Sequence, residues 1–179
     1  MLCLSRLARQ HFVVSLHLLI GCVENSAAML ITVEKLRIGI DTNVLIASTT
    51  RPGGTSARIV DAWLDGRLEV VASPATVREA ELVLGGGWLG RLASREAVES
   101  LVEALRKRSV FVAKPGPIAG LRLKDAGDLR LVEAAVAAGG HYIVTTDSEF
   151  LRARGYKDVE FITPGEFISR SGLDRAEGT

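Results

Sequence analysis

The chain has 179 residues, 47% of them hydrophobic, and a formal net charge of +1. These totals describe one well-buried domain and exclude an intrinsically disordered chain; without a global charge to hold a polyanion, any nucleic acid must meet a local basic patch. Both cysteines, Cys3 and Cys22, lie in the first 22 residues, so no disulfide framework or thiolate zinc site is available beyond them.

The first stretch runs from weakly basic "MLCLSRLARQ" through apolar "HFVVSLHLLIGCV" to small "SAAM". That is the order of a secretory leader, and "LIGC" resembles a lipoprotein cleavage box. Against it, His11 and His17 interrupt the apolar part, and Met29 opens a compact start, "MLITVEKLRIGIDTN". Residues 1–35 are therefore read as a mis-called start or disordered extension, with a targeting segment or a packed helix as alternatives. No apolar run reaches the ~18 to 20 residues of a spanning helix, so a cytoplasmic protein without membrane contact is expected.

"LRIGIDTNVLIAS" begins as a buried strand, then meets Asp41, Thr42 and Asn43 before its apolar run resumes. From there the pattern alternates. Strands are expected at Leu36–Ile40, Leu68–Ala72, Val110–Ala113, Tyr142–Thr145 and Val159–Ile162. Helices are expected at Ser56–Asp65, Pro74–Leu84, Arg95–Arg108, Asp128–Ala138, Glu149–Arg154 and Pro164–Ser169. Ser73-Pro74 and Thr163-Pro164 each set a hydroxyl cap before a proline at the first helical position, and Thr163-Pro-Gly-Glu166 reads as a capping box. Gly139-Gly140 stops the alanine-rich helix. Apolar strands alternating with helices imply a three-layer α/β/α domain over 36–170, with a central parallel sheet of about five strands and a frayed tail over 171–179. "LGGGWLG" follows a helix and lacks the Lys-Ser/Thr of a phosphate loop, so it reads as a flexible connection in which Trp88 is a candidate interface residue.

Open parallel sheets bind ligands beyond the carboxyl ends of their strands, where Asp41 and Asp147 both stand. Helical phase places Glu79 on a stripe with Ala75, Leu82 and Val83, opposite an Arg78–Glu81 pair, so Glu79 faces inward and Glu81 faces water. It places Asp128 on a stripe with Leu131, Val132 and Ala135, in a first turn that favours negative charge. Each acid has a structural reading as well: Asp128, Asp147 and Asp41 as caps, Glu79 as the partner of a buried arginine. Together they repel one another unless a cation intervenes, and an all-oxygen set selects a hard ion such as Mg²⁺ or Mn²⁺. His141, just before a strand, reads as a surface residue.

"IGIDTNVLIAS", "SPATVREAELVL", "DAGDLRLVEAAVAAGGHYIVTTDSEFL" and "VEFITPGEFI" together resemble the PIN domain family, in particular the bacterial toxin components related to VapC-like toxins. The likeness covers about 36–169. It implies metal-binding roles for Asp41, Glu79, Asp128 and Asp147, an auxiliary role for Asp125, and supporting roles for Thr42, Asn43 and Thr145. It also implies a Mg²⁺- or Mn²⁺-dependent endoribonuclease, the toxin of a type II toxin–antitoxin system, with an RNA substrate, a cognate antitoxin and a homodimer as partners. The chain departs from that branch in having "DAGD" for its usual "DPxD", Leu129 for a polar residue, and a glycine-rich helix connection.

The competing reading is a non-catalytic PIN-like module that binds RNA or protein. A phosphatase of the haloacid dehalogenase type needs a second aspartate where Asn43 stands, and a flap nuclease needs helical regions this chain lacks. Arg51, Arg58, Arg78, Arg122 and Lys124 are the candidate phosphate contacts.

Overall fold

The apolar run after Leu36 does form the first strand. In the computed structural model, which describes residues 35–86 and 93–173, β1 spans Arg37–Ile40 and is buried from Ile38 onward. It pairs in parallel with β2 (Glu69–Ala72) on one side and β4 (Tyr142–Val144) on the other. β3 (Val110–Phe111) extends the sheet beyond β2, and β6 (Val159–Ile162) extends it beyond β4, both in parallel. A sixth strand, β5 (Gly155–Tyr156), adds antiparallel to β6, giving the order β3-β2-β1-β4-β6-β5. This last strand is not in the sequence reading; two residues are too short to show a period.

Side chains alternate across a strand, and here both faces are apolar. Ile38, Ile40 and Val144 enter one core with Trp63, Leu101 and Phe167, whereas Ile143, Val159 and Phe161 enter another with Leu131 and Phe150. Edge-to-face aromatic pairs sit in each: Tyr142–Phe167 at 5.8 Å and Phe150–Phe161 at 5.1 Å between centroids. Burying a side chain such as Phe150 contributes about 1.5 to 3 kcal/mol. The layers are thus helix, sheet, helix, as the apolar strands imply.

On these faces lie α1 (Thr42–Thr50), α2 (Thr55–Leu64), α3 (Pro74–Leu84), α4 (Arg95–Arg108), α5 (Ala126–Ala137), α6 (Ser148–Ala153) and α7 (Pro164–Ser171). The run after Asp41 is α1, a helix the β-branched, apolar composition disguises. It forms because Asp41 caps it and because Val44 and Leu45 bury, even though the hydroxyls of Ser48, Thr49 and Thr50 donate back to carbonyls of Leu45 and Ile46, bonds that do not favour a helix. α5 starts two residues before its expected start, since Asp125 rather than Asp128 is its cap. α3 keeps its expected bounds, but its buried stripe is Val77, Ala80 and Leu84, and Leu82 is 69% exposed. Glu81 is half-buried and pairs with Arg106 of α4, not with Arg78. The helix packs against α4 on one flank and against α1 and α5 on the other, so a single inward stripe is the wrong description of it.

The expected extension at 1–35, save its last residue, lies outside the described residues, as do most of the glycine-rich connection with Trp88 and the tail from 174. Among the described residues, no helix is long and apolar enough to cross a membrane.

Candidate active site

At the carboxyl end of β1 the chain turns into α1, and Asp41 occupies the turn. Its backbone N–H donates to the carbonyl of Val144 at the end of β4, so the residue is tied to two strands at once. The carboxylate is 6% exposed. One oxygen accepts from the N–H of Asn43 at 3.1 Å, and the other accepts from the hydroxyl of Thr145 at 2.5 Å. Burial pushes this carboxyl above its ordinary range, with a further push from Asp147, and the Thr145 and Asn43 hydrogen bonds hold it back.

Thr145 follows β4 and is fully buried. Its hydroxyl donates to Asp41 and accepts from the N–H of Asp147 at 2.9 Å, so one side chain joins both strand-end acids. Asp147 caps α6 by accepting from the N–H of Glu149 at 2.5 Å. The structural readings of Asp41 and Asp147 as caps are therefore correct, and they coexist with proximity of the two acids.

Glu79 arrives from the second turn of α3. Its Oε1 accepts from the hydroxyl of Thr42 at 3.1 Å; no arginine is its partner among the described contacts. Burial raises its pKa, opposed by Thr42 and reinforced by repulsion from Asp125 and Asp41. Asp128 lies in the first turn of α5 and is the focus of the group. Burial first, then repulsion by Asp41, Asp125, Asp147 and Glu79, push its pKa from 3.8 to about 7. Asp41, Thr42, Glu79, Gly127 and Asp128 line one narrow cavity of about 20 Å³, floored by Leu45, Val71 and Leu131 and large enough for one water-sized body.

Two residues that sequence reasoning passed over belong to this setting. Glu149 accepts from the backbone N–H of Lys124, tying the loop before α5 to the segment that carries Asp147. Gly127 lies against the Glu79 carboxylate. The only signal for either was position, beside Asp147 and inside "DAGD". Of the candidate phosphate contacts, Arg51, Arg78, Arg122 and Lys124 are exposed and Arg58 is half-buried. Arg122 and Lys124 immediately precede the Asp125 cap. Asn43 is exposed beside Asp41, and His141 is exposed at the opposite end of β4, where its ring accepts from the N–H of Arg37.

Carboxylates of this kind, with hydroxyls and no thiolate or imidazole among them, match the donor preference of a hard divalent cation. Among the described residues, no three acidic, imidazole or thiol side chains already stand in a cation-ligating array. Three of the four acids are instead engaged by Thr145, Thr42 and helix N–H groups, contacts that carboxylates can share with or trade for a cation.

A family model described as PIN domain matches residues 37–149, from β1 into α6, a span that holds all four acids. No curated protein matches the chain.

Proposed function

The chain belongs to the PIN domain family, whose members are generally nucleases that use divalent metal ions, and from that premise we propose that it is a Mg²⁺- or Mn²⁺-dependent endoribonuclease. The observation that carries this reading is Asp128, a carboxyl raised to about 7 by burial and by four neighbouring acids. A scaffold has no need of that repulsion, whereas a cation site does.

Asp41, Glu79, Asp128 and Asp147 would hold the ion, directly or through water. When bound, a divalent ion lowers the pKa of a water and offsets charge on the phosphate, so hydrolysis needs no side-chain nucleophile. The chain's own residues set the frame. Thr145 fixes the Asp41 carboxylate and the backbone of Asp147 together, and Thr42 holds one oxygen of Glu79. Asp125 adds negative charge beside Glu79 and Asp128. Unloaded, this surface repels a phosphodiester; the exposed Arg122 and Lys124, just ahead of Asp125, are candidates to draw RNA toward it.

The order of the four motifs supports a narrower reading, as the toxin of a type II toxin–antitoxin pair that is silenced by its antitoxin and works as a homodimer in the cytoplasm. Induced expression in a bacterial host should then arrest growth, and Asp41→Asn should abolish the arrest.

The direct test is cleavage of a mixed RNA pool by the full chain with Mg²⁺ or Mn²⁺, with EDTA, and with Asp41→Asn in parallel. Cleavage lost in the last two conditions supports the nuclease. Absence of both metal binding and cleavage leaves a non-catalytic module in which Asp41 serves only as a helix cap.

A further inference from the structure

Glu79 reaches the site at the end of a flexible side chain, and its position depends on what it rests against. One oxygen, Oε1, accepts from Thr42 at 3.1 Å, which anchors it to α1. The other, Oε2, lies only 2.5 Å from where a Cβ on residue 127 would be, and the carboxyl carbon lies 3.1 Å from the same point. That distance is far inside ordinary contact, which begins near 3.4 Å. Any side chain at 127 would therefore drive the carboxylate back by about 1 Å, away from the turn that carries Asp128.

Gly127 has no conformational reason to be glycine. It lies in the second position of α5, an ordinary helical turn capped by Asp125, and it is not among the glycines with positive φ. Alanine is the better helix former. The atom it would strike is the tip of a side chain, not backbone, so the fold has an easy response. The group that must move furthest is the carboxylate of the candidate site; the capping Oδ1 of Asp125, 3.3 Å from the same point, need give only by a few tenths of an ångström.

We infer that Gly127 is a positioning residue: by lacking a Cβ it lets Glu79 lie against the first turn of α5, within the same cavity as Asp41 and Asp128. This inference rests on the cation-site reading of those acids. It separates two effects that usually coincide, because Gly127→Ala should weaken cation binding without lowering stability. A misplacement of about 1 Å at a reacting centre costs up to about 100-fold in rate.

The experiment uses the full chain as wild type, Gly127→Ala, Glu79→Ala and the double variant, and measures thermal unfolding without metal and Mn²⁺ affinity by calorimetry. The Tm of Gly127→Ala should equal or exceed that of wild type, with Mn²⁺ binding about 10-fold weaker. In the Glu79→Ala background the same substitution should change Mn²⁺ affinity no further, since the carboxylate it displaces is gone. A lower Tm, unchanged affinity, or an equal loss in both backgrounds would each overturn the inference. Should the wild type bind no Mn²⁺, the cation reading falls, and the placement is judged separately by the ¹³Cδ resonance of Glu79 in the metal-free protein. A shift in Gly127→Ala then supports it, and an unchanged resonance refutes it.

Discussion

Thr145 is the single side chain on which the two strand-end acids depend. Its hydroxyl has one proton, and that proton is committed to Asp41; its lone pairs receive the N–H of Asp147. Valine has nearly the same shape and neither capability. In Thr145→Val, a buried carboxylate loses one of its two donors, keeping the Asn43 N–H, and a half-buried N–H loses its acceptor, a loss of about 1 to 3 kcal/mol. Urea unfolding should show that loss, and RNA cleavage should fall further than stability alone explains, because only the Asn43 N–H then holds the Asp41 carboxylate. Thr145→Ser keeps the hydroxyl and should recover most of both. Equal activity in the valine and serine variants would remove Thr145 from the site's support. The sequence offered this residue as an auxiliary through its place in "VTTDSEF", but not the bridge, since a contact between residues 41 and 145 exists only once β1 and β4 pair.

Among elements, the helix that carries Asp128 is held on the sheet by an absence. Gly39, in the centre of β1, faces α5, and a Cβ there would come within 3.1 Å of Ile143 and 3.2 Å of Leu131. Both neighbours belong to the core, so unlike the tip of Glu79 they have little room to yield. Gly39→Ala should cost about 1 to 3 kcal/mol by overpacking and should lift α5, weakening cleavage together with stability. Denaturant melts and cleavage rates measured side by side would check this; a variant as stable and active as wild type would show that α5 does not rest on β1. Elements with strong local signals were legible in the sequence. The Ser73-Pro74 start marked α3, the segment expected at 95–108 is α4 with the same bounds, and β6 is the apolar run expected at 159–162. Those set by tertiary context were not. α1 is written in strand-forming residues and is helical because Asp41 caps it and the core takes Val44 and Leu45. The stripe assigned to α3 failed at Leu82 because two flanks of that helix are covered by different neighbours, which one helical phase cannot express.

Across the whole molecule, folding concentrates negative charge. The strand order sets β2, β1 and β4 side by side, so Asp41 after β1, Glu79 after β2, and Asp128 and Asp147 on either side of β4 converge although they span 41 to 147 in the chain. Stability must therefore depend on pH in a definite direction. Asp128 has a folded pKa of about 7 against an ordinary 3.8, so between those values the folded chain holds a proton that the unfolded chain has released. Its contribution to stability is present below about pH 4, declines as pH rises, and is lost above about pH 7. Asp41 and Glu79, raised in the same sense, steepen the decline. Glu103 and Glu166 are lowered by Lys107 and by Thr163, and act in the opposite direction. The informative quantity is consequently the difference between wild type and Asp128→Asn: in metal-free buffer the wild type should lose Tm relative to the variant from pH 4 to 7. Adding Mg²⁺ at 100 times its Kd should restore about 2.7 kcal/mol at pH 7 and less at pH 4.5, where a proton already occupies the Asp128 carboxyl. Thermal melts over this grid test both halves. Parallel pH curves for the two proteins would mean that Asp128 is not the focus of the cluster. A Mg²⁺ shift that persists in Asp128→Asn would place the ion elsewhere on the chain.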